Sequence, residues 1–162
     1  MLRYASTDHN RPQIHGICVK DSWVFATNGR MVIGFKRDKK QYPKEGMMKA
    51  FEIDESLKAP TVDEILPSDF SAYDKFYLED VVIDKVTMEY KTPCASINQS
   101  YKSNFGYNMN FILNAVQSFD AMCIDAVYLA KEPMTAPNMG LAMEISTNDH
   151  KLVSLIMPMR SE

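Results

Sequence analysis

An α+β domain, an antiparallel sheet packed against helices, is the fold class this sequence predicts, and three observations carry it. Short runs of β-branched and aromatic residues are separated by turn dipeptides such as Asn28-Gly29. Between Tyr77 and Lys91 apolar residues mix with Asp80, Asp84 and Glu89, the pattern of antiparallel strands with one wet face. From Asn108 to Phe119 the spacing turns helical.

From Gln13 to Phe35 the chain reads as two strands and a tight turn. Ile14, Gly16 and Cys18, then Val24-Phe25-Ala26, are strand-type residues. Asn28-Gly29 marks the turn because both residues tolerate positive φ, and Met31 to Phe35 resumes the strand. Lys36 to Gly46, with Lys39-Lys40 and Pro43, reads as a loop. A short strand over Lys49-Ala50-Phe51-Glu52-Ile53 precedes a helical turn that Asp54 caps. Pro60 and Pro67 bracket a connection holding Asp63, Glu64 and Asp69, and divide a single domain, 1–162, loosely into halves 1–67 and 68–162. Tyr77 to Lys91 forms a hairpin or a strand pair.

In the helix, Asn108 serves as cap, while Phe111, Ile112, Ala115, Val116 and Phe119 share one side and Asn110, Asn114 and Gln117 the other. Strands follow at Met122 to Ala130, Gly140 to Ser146 and Leu152 to Met157, with a turn at Asn148-Asp149. The last strand must stop at Pro158, which has no backbone donor.

Composition bounds the function classes. With 162 residues, 46% hydrophobic and 24% charged, the chain is long enough for one domain with its own core. A net charge of −3 offers no global attraction to nucleic acid or an anionic membrane. Cys18, Cys94 and Cys123 are odd in number and widely spaced, without a disulfide framework or zinc knuckle, which fits a reducing cytoplasm. No apolar run approaches the roughly 20 residues of a membrane span. His9, His15 and His150 lack metal-ligand spacing, and there is no phosphate-cradling glycine loop or nucleophile elbow. The expectation is a non-enzymatic protein with no cofactor and no metal.

Two segments resemble a known family. Phe105-Gly106-Tyr107-Asn108-Met109-Asn110-Phe111-Ile112-Leu113-Asn114-Ala115-Val116 is similar to the helix-opening motif in the last domain of bacterial sliding clamps, the beta subunit of DNA polymerase III. The ending Leu155-Ile156-Met157-Pro158-Met159-Arg160 resembles that family's carboxyl terminus, in register with the helix across a loop containing Pro133 and Pro137. More loosely, Arg11-Pro12-Gln13-Ile14-His15-Gly16-Ile17 and Phe25-Ala26-Thr27-Asn28-Gly29-Arg30-Met31-Val32 are similar to the family's Ala-Thr-Asp-Gly-His-Arg-Leu region. Asn28 stands where the family has Asp, Arg30 where it has His, and Met31 where it has Arg.

The resemblance implies a DNA-clamp-like domain with a sheet packed against paired helices. At the length of about one domain, the chain is expected to be a reduced or divergent relative of a clamp subunit. It also implies an apolar cleft that receives short linear motifs of replication or repair proteins. The matching residues are Thr27, Gly29, Arg30, Met31 and Val32 on one side, Leu155, Ile156, Met157, Pro158, Met159 and Arg160 on the other, and Pro67 as a further wall. Methionines repack around apolar side chains and glycine lets a peptide approach the backbone. The sequence leaves open whether the segments converge within one chain, across two protomers or not at all.

DNA encirclement is less well supported, because sliding on DNA requires cations and no Lys or Arg occurs from Phe105 to Phe119. Any DNA contact is expected at Lys36, Arg37, Lys39 and Lys40, a cluster that reads first as a solvated loop. The competing expectation is an accessory or decoy module that pairs with another clamp, as a homo-oligomer or heteromer, without encircling DNA. An enzyme using Asp63, Glu64, Asp69, Asp80 and Asp84 is the third and weakest.

Overall fold

The structure is a computed structural model that describes residues 1–49, 52–63, 65–67, 69–89, 91–97, 105–118, 123–130 and 140–160. The first strands are β1 (Ile17–Lys20), β2 (Trp23–Thr27), β3 (Met31–Lys36), β4 (Gly46–Lys49), β5 (Glu52–Asp54) and β6 (Tyr73–Phe76). They are followed by β7 (Ile83–Glu89), β8 (Thr92–Ile97), β9 (Phe105–Asn108), helix α1 (Met109–Ser118), β10 (Ile124–Ala130), β11 (Leu141–Ser146), β12 (Lys151–Ile156) and β13 (Pro158–Arg160). Nine strands form one antiparallel sheet in the order β5-β4-β1-β2-β3-β12-β11-β10-β6, and four form a second in the order β13-β9-β8-β7.

Central strands of the large sheet are apolar on both faces, so each buries two sets of side chains. On β2, Val24 and Ala26 enter one core while Trp23 and Phe25 enter the other. On β12, Leu152 and Ile156 take the first side and Leu155 the second. The first core is closed by Ala95, Ile97 and Tyr107 of the small sheet and by Ala115 of α1. The second is closed by a strap that carries Leu57, Ala59, Val62, Leu66 and Phe70 and has no helix or strand among its described residues. Gly34 lets the strap settle: a Cβ there would meet Phe25 Cβ and the Val24 carbonyl at 2.9 Å and Leu66 Cδ1 at 3.3 Å.

The expected sheet packed against helices, and with it the clamp-like α+β domain, is overturned. The described residues are mostly β, in two antiparallel sheets with a single α-helix. The physical reason lies in the strap. Pro60 and Pro67 interrupt any helix across it, yet its apolar side chains still cover the sheet. The other face is covered mainly by a second sheet.

Several elements differ in detail from the sequence reading. Gln13 to Phe35 holds three strands, because Asp21 adopts a left-handed φ of 48° and turns the chain between β1 and β2. Ile14 ends a 3-10 turn, Pro12–Ile14, instead of entering a strand. The short strand expected over Lys49 to Ile53 is a hairpin of β4 and β5, with Ala50 and Phe51 outside the described residues. The hairpin expected within Tyr77 to Lys91 lies further along as β7 and β8, after a 3-10 turn at Leu78–Asp80, and β6 and β9 are additional. Asn108 closes β9 and caps α1, its Oδ1 accepting the Asn110 amide at 2.9 Å. Phe119, Met122 and the loop with Pro133 and Pro137 lie outside the described residues.

Candidate functional site

The Asn28-Gly29 turn is stitched by its own side chains. Asn28 Oδ1 accepts the amides of Arg30 and Met31 at 2.9 and 3.0 Å. Thr27 Oγ1 donates to the Met31 carbonyl at 2.7 Å and accepts from the Gly29 amide at 3.0 Å. Of the two turn residues only Gly29 takes positive φ, +86°. Asn28 contributes through its side-chain oxygen instead, an alternative open to Asn in turns.

The carboxyl-terminal strand arrives beside this turn within the same chain. β3 and β12 pair antiparallel, with Leu155 opposite Val32 and Ile156 opposite Met31. The ladder runs one residue further, the Met157 amide donating to the Arg30 carbonyl at 2.9 Å.

A cavity of about 320 Å³ opens at this end of the hairpin. Its floor is Thr27, Met31 and Val32, with Gly29 and Arg30 at the lip and Met157 beside them. The strap forms one wall through Pro60, Thr61, Val62 and Ile65, and Arg11, Gln13 and Ile14 form the other. Thr27, Met31, Val32, Ile14 and Val62 are buried, while Met157 is 37% exposed. The volume is at the low end for ligand pockets, roughly 300 Å³ and upward, and suits one or two apolar side chains.

Six of the residues singled out in the sequence, Thr27, Gly29, Arg30, Met31, Val32 and Met157, thus share one cavity. The rest of the tail goes elsewhere. Leu155 and Ile156 are fully buried in opposite cores. Pro158 does end the strand of the large sheet, but it also starts β13 at the edge of the small one, where proline is tolerated. There Pro158, Met159 and Arg160 pair with Tyr107, Gly106 and Phe105, and Met159 Sδ lies 3.4 Å from Cys94 Sγ. Pro67 is half-buried away from the lining; Pro60 takes the wall instead.

The lining residues not singled out were legible only in part. Arg11 and Ile14 stand in the segment that resembles the clamp signature, whereas nothing in the local pattern marks Val62 or Ile65. They reach the site because the strap turns tightly, the amides of Ile65 and Leu66 both donating to the Val62 carbonyl at 2.9 and 2.8 Å.

The lysine-rich segment divides. Arg37 is turned inward with its side chain 4% exposed. Its guanidinium donates to the carbonyls of Tyr42, Asp21 and Pro43 and to Glu45 Oε1, at 2.8, 3.2, 3.0 and 2.9 Å. Arg37 therefore holds the 38–45 loop and is not presented to solvent. Lys36 Nζ sits 3.9 Å from the centre of the Trp23 ring. Lys39 and Lys40 are exposed. Glu45 also accepts from Lys20 Nζ at 2.7 Å, and that hydrogen bond, with those from Arg37 and the Asp21 amide, holds its carboxyl below the ordinary value.

Among the described residues no three His, Cys, Asp or Glu side chains group as a metal would require, and no helix is long and apolar enough to cross a membrane. None of the three cysteines is in a disulfide, and burial pushes the Cys18 thiol up to about 11. Compared with known proteins, the chain matches no protein-family model, no curated protein and no solved structure.

Proposed function

We propose that this chain is a non-catalytic binding protein of the cytoplasm that takes short linear motifs of replication or repair proteins into the cavity beside the Asn28-Gly29 turn. One observation carries the reading: Thr27, Gly29, Arg30, Met31, Val32 and Met157, from two distant segments that each resemble clamp peptide-binding sequence, line one apolar cavity. The partner class comes from that resemblance alone. The mode of binding follows from chemistry, since an apolar anchor buried among adaptable methionines is a usual source of peptide affinity. Lys36, Lys39 and Lys40 offer a weak, salt-sensitive contact for DNA at most.

The test is a titration of fluorescently labelled Gln-Leu-Ser-Leu-Phe peptide against the folded protein, read by anisotropy. Saturable binding with a Kd below about 1 mM is expected, weakened by Met157→Ala. A folded protein without saturable binding would sink the reading.

A second reading has its own support. β7 is the edge of the small sheet, and Ile83, Val86 and Met88 on it are 45%, 53% and 67% exposed. An apolar edge strand invites pairing with another chain, which fits a module that pairs with a second copy or with a clamp. Light scattering across a concentration range, with and without a full clamp, distinguishes this from a monomer.

A further inference from the structure

The polar groups around the cavity are unevenly committed. On the floor, the Thr27 hydroxyl is consumed inside the turn, donating to the Met31 carbonyl and accepting from the Gly29 amide. On the strap wall, the Thr61 hydroxyl donates to Asp21 Oδ2 at 3.0 Å. Neither offers a proton to a ligand. Among the described residues, no side-chain hydrogen bond is made by Arg11, Arg30 or Gln13, and all three line the cavity.

Arg11 is held in place for such a role. Its backbone amide donates to the Asp8 carbonyl at 2.8 Å, and its own carbonyl accepts from Ile14 at 3.1 Å. Its guanidinium lies against the turn, Nη1 coming within 3.0 Å of where a Cβ on Gly29 would stand. Only glycine leaves that space free. The acidic neighbour of Arg11 is Asp8, 3.6 Å from Nε, with both side chains about half exposed. That is a loose, single-point pair of the kind that contributes little. Arg30, two residues after Asn28 on the same lip, is exposed and has no ion pair among the described residues. By contrast Lys20, Arg37 and Lys44 are all paired with carboxylates at 2.7 to 2.9 Å. In a chain of net charge −3, two guanidinium groups are thus left at the mouth of one apolar cavity. Arg11 holds its position without a strong partner of its own among the described residues.

We infer that this mouth is a carboxylate subsite: the ligand carries an acidic group directly beside its buried apolar residue, and Arg11 and Arg30 bind it. The inference rests on the cavity being a peptide site and adds what the peptide must present. A guanidinium pairs with a carboxylate by two parallel hydrogen bonds, so a free carboxyl terminus and an Asp or Glu side chain would serve alike.

Three versions of the peptide above separate the sources and the claims: one with a free carboxyl terminus, one amidated and neutral, and one amidated with Asp added after the Phe. The neutral peptide is expected to bind about tenfold more weakly than a carboxylate-bearing one. Which of the two acidic versions recovers the affinity identifies the source. Arg11→Gln and Arg30→Gln, both at exposed positions, are expected to lose that tenfold difference between acidic and neutral peptides with no change in the unfolding midpoint. Equal binding of all three peptides overturns the carboxylate subsite and leaves the peptide-binding reading standing. Binding of none overturns both.

Discussion

The two ends of the β2–β3 hairpin hold arginines in opposite circumstances. At the Asp21 end, the Arg37 side chain is buried, makes four hydrogen bonds and is paired with Glu45, so its charge is spent within the fold. At the Asn28 end, Arg11 and Arg30 stand on the rim of an apolar cavity, with only the loose Asp8 pair nearby among the described residues. One end is closed by its own polar groups and the other is left open. Residue type alone therefore says little about role; what matters is whether carbonyls and carboxylates of the same chain surround the cation.

The sharpest way to break this contrast is Arg37→Met. It strands three carbonyls and one side of Glu45, and should cost about 3 kcal/mol in urea unfolding while leaving peptide affinity unchanged. A loss under about 0.5 kcal/mol, the range of ordinary surface changes, would show that the closed end is not held by this residue. Gly29→Ala at the open end should cost about 1–2 kcal/mol, because alanine is strained at φ +86°. Its Cβ would also push against Arg11 Nη1, so peptide affinity should fall with stability; a rise in either would contradict the placement of that guanidinium.

Met157→Ala tests the opposite balance. Being 37% exposed, Met157 should contribute about 0.5 kcal/mol to folding but about 1 kcal/mol to peptide binding, as anisotropy and urea titration measure separately. The smallest effect is in pH. The Glu45 carboxyl is held below its ordinary value of 4.5 by Lys20 first and by Arg37. It thus contributes stability above pH 4.5 that is lost as pH falls through its lower folded value, where the unfolded chain takes up the proton first. Thermal melts between pH 6 and pH 3 should show this decline in the natural chain and a shallower one in Glu45→Gln; parallel curves would remove Glu45 from the account.

Local features were readable from residues alone. Asn28-Gly29 marks a turn because Gly29 tolerates left-handed backbone and Asn supplies an acceptor, and the helix after Asn108 follows from its apolar spacing and its cap. These depend on neighbours within a few positions. The likeness of two distant segments to the two sides of one known cleft also singled out Thr27, Gly29, Arg30, Met31, Val32 and Met157, while whether they meet was not legible in the residues.

Other outcomes depended on the tertiary structure. The sheet packed against helices did not form, since the strap with Pro60 and Pro67 and a second sheet cover the large sheet with less helix. The tail divides at Met157 because β12 ends beside β3 while Pro158, lacking a donor, can begin again only at an edge beside β9. Arg37 and Arg11 cannot be told apart in sequence, because their difference lies in the carbonyls of Asp21, Tyr42 and Pro43, which only the folded chain gathers around one guanidinium and not the other. Short-range propensity is written residue by residue, whereas long-range burial and the pairing of charges exist only once distant segments meet.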